Sequence, residues 1–192
     1  MSVTIAERAA APVDARDAWR LRVLRVGGTI QIVFAAFWLV RGSLAIGAPV
    51  GPSLAIVLGA VATGVLAYGV SSTAGRAPRP TGPGAAAIER AVTVATALEV
   101  VASFALPAAA MAAGRPDWVL PSVAVTVGPL LVWLDRCLGV PRYAVAGWIL
   151  TVGPVMLALA LCGDALAAAT GLAGGGLLLS VATAGFLDLR RG

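Results

Sequence analysis

The chain has 192 residues, 59% apolar and 12% charged, with a net charge of +5 and a mean hydropathy of +0.94. A soluble domain averages about 45–50% apolar and about 25% charged residues, so a water-soluble monomer is excluded. So are a disordered chain, which needs low hydrophobicity, and collagen, because the 23 glycines follow no three-residue period. A polytopic membrane protein remains, and its positive charge reads as orientation against a bilayer rather than as nucleic-acid binding.

Residues 1–25 are rich in Ala and Arg. They are expected as a cytoplasmic, frayed flank of the first span. The alternative is a short amphipathic helix lying on the inner leaflet through Arg16, Trp19, Arg20, Arg22 and Arg25. A membrane-crossing helix needs about 20 apolar residues, and the first such run covers 26–47. A cleaved leader is disfavoured here, because the 25 residues before it are long for a leader's charged region and contain Glu7, Asp14 and Asp17. At 100° per residue, Gly27, Gln31, Phe34, Trp38 and Arg41 share an arc of about 80°. Gln31 falls near the depth of Glu99, which allows a hydrogen bond between them. Arg41 is expected to snorkel to the outer headgroups, with an ion pair to Glu99 as the sharper alternative.

The second span covers 52–71, with Ala55/Gly59 and Ala60/Gly64 as small-residue pairs that permit close helix approach. Residues 72–84 contain three prolines and break the helix. The third span, 88–113, carries Glu99, a carboxylate roughly 12–15 Å below the inner surface by helical rise. Glu89, Thr93, Thr96, Glu99, Ser103 and Pro107 fall within an arc of about 120°. This polar stripe reads either as a packing face or as a path for a solute or proton.

The fourth and fifth spans cover 118–138 and 143–163. Both carry the tetrapeptide Thr-Val-Gly-Pro, at Thr126–Pro129 and again at Thr151–Pro154. Gly128 and Gly153 each fall about 15 Å deep. Pro129 and Pro154 therefore predict kinks at the midplane, as Pro107 does in the third span, each freeing the carbonyl four residues back. The sixth span, 165–187, holds the small pair Gly171/Gly175, and 188–192 form the tail. Gly174-Gly175-Gly176 has no following Lys and is not a phosphate loop. Turns are expected at Gly47–Pro52, Gly114–Asp117, Gly139–Arg142 and Gly163–Asp164.

With the N-terminus inside, every one of the 14 arginines except Arg41 and Arg115 falls on the cytoplasmic side. The positive-inside rule then places both termini in the cytoplasm of a bacterial inner membrane, with Trp118 at the outer interface and Tyr68, Trp133, Tyr143 and Trp148 at the inner one. The chain has no His and no Lys. That removes His-dependent proteases, zinc peptidases, His-ligated haem and a retinal Schiff base. Cys137 and Cys162 are expected about 30 Å apart in depth, too far for a disulfide, as small buried residues. No catalytic residue, cofactor or metal site is expected.

The stretch through Gly114-Arg115, Pro121, Gly128, Pro129, Tyr143 and Gly147 resembles the second half of a group of small bacterial six-span membrane proteins with no settled activity. That resemblance implies the membrane class and no function. The group's His and Phe after the glycine are replaced here by Pro129 and Leu130.

The expectation is an all-α bundle of six membrane helices at 26–187. It works without catalysis, through contacts with lipid or with a membrane-protein partner, a second copy included. The alternative is a small proton- or cation-linked transporter or channel centred on Glu99 and served by Gln31, Thr96, Ser103, Thr126 and Thr151. No inverted repeat relates the two halves, which weighs against a standard transporter architecture.

Overall fold

The computed structural model describes residues 15–74 and 83–191, with backbone only for Ala15, Arg16 and Pro83. The segment with Arg8, the proline-rich link with Arg76 and Arg79, and the Arg16 side chain lie outside the described residues. The protein is an all-α, multi-pass bundle, with six helices among the described residues long and apolar enough to cross a membrane. The first span joins α1 (Ala15–Arg22), a π-helical turn (Val23–Gly27) and α2 (Gly28–Leu44) into one continuous helix. There follow α3 (Val50–Ser72), α4 (Pro83–Ala112), α5 (Val119–Leu138, led by a 3₁₀ turn at Pro116–Trp118), α6 (Pro141–Ala160) and α7 (Gly163–Arg191). The first helix thus starts before residue 26. Trp19 and Leu24 are buried, and Trp19 Nε1 donates to the Ala85 carbonyl at 3.2 Å, so the Arg-rich flank is anchored to α4 rather than frayed from Ala15 onward. At the other end of the chain, α7 continues past residue 187 because Leu189 is buried and Asp188 pairs with Arg142.

Four turns fall where the glycines predict them. Gly47, Gly114, Gly139 and Gly163 have φ of 85°, 69°, 65° and 57°, a left-handed conformation that costs a residue with a Cβ.

The core is built on the pairing of α2 with α7. Apolar side chains give no hydrophobic drive to association inside lipid, so close backbone approach does the work. A Cβ on Gly171 would stand 2.6 Å from the Gly42 Cα, and one on Gly174 would stand 2.3 Å from the fully buried Trp38 ring. Gly175 meets Leu39 and Ala35 in the same way. The expected Gly171/Gly175 pair is thus an internal seam. α3 leans on this pair through Gly69, whose Cβ would meet the Phe186 ring at 2.2 Å. Of α3's small pairs, Gly59 touches Val40 and Gly64 touches nothing.

On the other flank, α5 and α6 cross tightly, and Gly128 lies against Gly147 and Thr151. Gly153 has no comparable neighbour, so the two Thr-Val-Gly-Pro copies are not equivalent: the first enters the crossing through its glycine, the second through Thr151. α4 packs along α5 and touches α1 at its start. Apolar side chains along its length, among them Leu98, Val101 and Phe104, face outward.

One end of the bundle gathers Trp19, Ala85, Tyr68 with Arg190, and Arg142 with Asp188. The other gathers Arg41, Arg115, Asp117 and Asp164. The described chain therefore starts and finishes at the same end, which is also the end richer in arginine.

Candidate functional site

The site forms where α4 meets α5. Ser103 Oγ donates to Glu99 Oε1 at 3.1 Å and lies 2.8 Å from Thr126 Oγ1 across the helix pair. With Thr126 donating to Ser103 and Ser103 to Glu99, the three groups make one relay. Thr126 can instead donate to the Val123 carbonyl, 2.8 Å away. Pro107 lies inside α4 without breaking it. It removes the N–H that the Ser103 carbonyl would otherwise accept, which adds a second polar group at the same depth. Pro129 and Pro154 likewise lie inside unbroken helices, with Pro129 exposed and Pro154 buried.

Below this bridge, a cavity of about 210 Å³ opens between the first helix, α4 and α5, with Leu178 of α7 at its back. Glu99, Thr96 and Gln31 line it, among Val92, Val127, Leu130, Leu131 and Leu134. Three of the expected site residues thus share one cleft. Val26, Ile30 and Phe34 of the first helix and Thr96 of α4 are cleft residues that also face outward, so the opening is lateral, toward the membrane. At the end nearest the termini, the cleft is lined by Trp19 and Arg22, with the guanidinium 5.8 Å from the indole centroid. Arg22, Val23, Val26 and Gly27 line the cleft at the π-helical turn, a deformation common at functional sites.

Gln31 is 9% exposed, and its Oε1 has no partner. Its side chain lies beside the Tyr143 hydroxyl, and no hydrogen bond joins it to Glu99 among the described residues. Tyr143 is 1% exposed and belongs to the core rather than to an interfacial belt, because the first turn of α6 aims it into the bundle.

Above the bridge, a second cavity of about 470 Å³ lies between α4, α5 and α6. Leu106, Ala109, Ala110 and Ala113 face Pro121, Ser122, Val125, Pro154 and Val155 across it. Its outer end is again an Arg–Trp pair, with Arg115 5.6 Å from the Trp118 ring. Arg115 also grips Asp117 through Nε and Nη2, each 3.1 Å from a carboxylate oxygen. Asp117 Oδ2 accepts the Gly163 N–H at 3.2 Å, which ties the two loops of this end together.

Two expected members do not join the site. Thr151 Oγ1 donates to the Gly147 carbonyl at 2.7 Å and packs on Gly128, because the α5–α6 crossing takes up that face. Arg41 sits in the polar bowl at the end away from the described termini with Asp117 and Asp164, not beside Glu99. Cys162 is exposed rather than buried, and Cys137 is half-buried.

The two Arg–Trp pairs and the π-helical turn escape a reading by hydropathy alone. The pairs do have a signal. Trp19 and Arg22, and Arg115 and Trp118, are each three residues apart, a spacing that places side chains on one helical face. No family model, curated protein or solved structure matches this chain.

Proposed function

We propose that this membrane protein acts without catalysis by binding an anionic lipid sideways in the cleft between its first, third and fourth spans. The observation that carries this reading is the cleft's graded chemistry. A guanidinium over an indole stands at its end, apolar walls open laterally, and an amide and a carboxylate lie at its inner reach. A phosphate suits Arg22, an acyl chain suits the Val, Ile and Leu walls, and a glycerol hydroxyl can give the unpartnered Gln31 Oε1 a donor. The arginine asymmetry favours a bacterial inner membrane with both termini cytoplasmic, so that this cleft faces the inner leaflet.

The test is thermal unfolding in mild detergent with added phosphatidylglycerol or phosphatidylcholine. A ligand that binds the folded state raises the midpoint by mass action. Phosphatidylglycerol is expected to raise it more than phosphatidylcholine. Arg22→Gln and the cleft-filling Ile30→Trp are expected to lose that difference. Equal shifts with the two lipids, or in all three proteins, would sink the reading.

A second reading, proton- or cation-linked transport at Glu99, is favoured by the relay that Ser103 and Thr126 make with this carboxylate in the middle of α4. In proteoliposomes under a pH gradient, Glu99→Gln is then expected to stop flux while the protein still inserts and folds. Indistinguishable flux from the variant and the wild type removes this reading.

A further inference from the structure

The two clefts share a wall. From the first, Val92, Thr96 and Glu99 of α4 climb to Ser103. From the second, Leu106, Ala109 and Ala113 descend to it. On α5, Val127 and Leu130 lie on one side of Thr126, and Val125 and Ser122 on the other. The Ser103–Thr126 contact is therefore a thin polar septum between two lateral openings that lead to opposite ends of the bundle. Both openings end in an arginine beside a tryptophan, Trp19 with Arg22 at one face and Arg115 with Trp118 at the other, where Arg115 is also paired with Asp117. The order of the two residues along the chain is reversed between them.

We infer that the clefts are two stations on one path, and that the protein moves an anionic phospholipid headgroup between leaflets along the α4–α5 groove, with the Ser103–Thr126 bridge as the gate. This rests on the lipid-binding reading and extends it to a second site and a translocation. In mid-membrane the two hydroxyls can donate to the phosphate, and the headgroup's glycerol hydroxyls can donate to the Glu99 carboxyl and to the Ser103 carbonyl that Pro107 leaves without a helical donor. Acyl chains stay in the bilayer, because residues that line each cleft also face outward, Ile30 and Phe34 in the first and Leu106 and Val155 in the second. Parting the gate breaks one interhelical hydrogen bond, of a kind that contributes little inside a membrane. α4 can move outward because, among the described residues, no other helix packs along its far face, where Leu98, Val101 and Phe104 are exposed.

The experiment uses the full chain in vesicles of phosphatidylcholine with a minority of phosphatidylglycerol and a trace of fluorescent phosphatidylglycerol. A membrane-impermeant reductant bleaches only label in the outer leaflet. Wild-type vesicles are expected to lose the inner-leaflet fluorescence that protein-free vesicles retain. In a background with Cys137→Ala and Cys162→Ala, the Ser103→Cys/Thr126→Cys pair replaces two oxygens 2.8 Å apart, close enough for a disulfide. Oxidised, this variant is expected to stop translocation and to regain it on reduction. Ala109→Trp, which fills the second cleft, is expected to slow translocation independently of any cross-link.

Protein-free rates from the wild type overturn the inference. So does unchanged translocation in both the oxidised pair and Ala109→Trp. The phosphatidylglycerol-dependent thermal shift separates the two readings. A shift that persists without translocation overturns the path and leaves the first cleft's binding intact, whereas loss of the shift from the wild type removes the binding reading itself.

Discussion

Two helix contacts in this bundle are made by small or short side chains, and they do opposite things with the space. In the α2–α7 seam, Gly42, Gly171, Gly174 and Gly175 let backbone meet backbone and leave no room beside Trp38. In the α4–α5 contact, Ser103 and Thr126 touch through hydroxyls at one level, with a cavity on each side. The first arrangement converts missing side chains into packing. The second converts them into a polar contact with empty flanks, and every polar group placed at mid-depth along α4 collects there. Small residues in these membrane helices thus mark tight packing in one contact and a polar level between hollows in the other.

The comparison can be broken most directly at the seam. Gly171→Leu forces α2 and α7 apart, since even a Cβ would lie 2.6 Å from Gly42. Over-packing that backbone cannot relieve is expected to cost more than about 3 kcal/mol, read as loss of folded protein in a detergent unfolding titration. Next comes the tie between the first helix and α4. Trp19→Phe keeps an aromatic ring but removes the donor to Ala85, and a loss of about 1 kcal/mol is expected from the same titration. Ser103→Ala should cost less, about 0.6 kcal/mol, the usual worth of an interhelical hydrogen bond in a bilayer, while altering lipid-dependent behaviour far more than stability. Gly64→Leu completes the series. Nothing lies within 4 Å of a Cβ there, so its unfolding curve should overlay that of the wild type. A Gly64→Leu loss comparable to that of Gly171→Leu would mean that α3 has a packing partner on that face, and the contrast would then need to be drawn elsewhere.

Much of this was legible in the residues. The six spans and the four glycine turns follow from apolar runs broken by Gly and Pro, because a bilayer forces every backbone polar group into a helix and leaves turns to its surfaces. The polar stripe on α4 was legible too, since Glu99, Thr96 and Ser103 obey the helical period. What periodicity cannot carry is the choice of partner. Gln31 lines the same cleft as Glu99 yet lies beside Tyr143, because the first turn of α6 aims that ring into the core. Thr126 and Thr151 look alike in sequence. One meets a serine of α4 and the other a glycine of α5, and that difference belongs to helix order, not to either tetrapeptide. Arg41 resembles a partner for Glu99 only until helical rise places it with Asp117 and Asp164 at the opposite end.

α4 packs along α5, but it is also held at two separate levels: the Trp19–Ala85 bond ties its start to the first helix, and the Ser103–Thr126 pair ties its middle to α5. The first hollow lies between these two ties, like cloth between two stitches, whereas the second lies beyond the upper one.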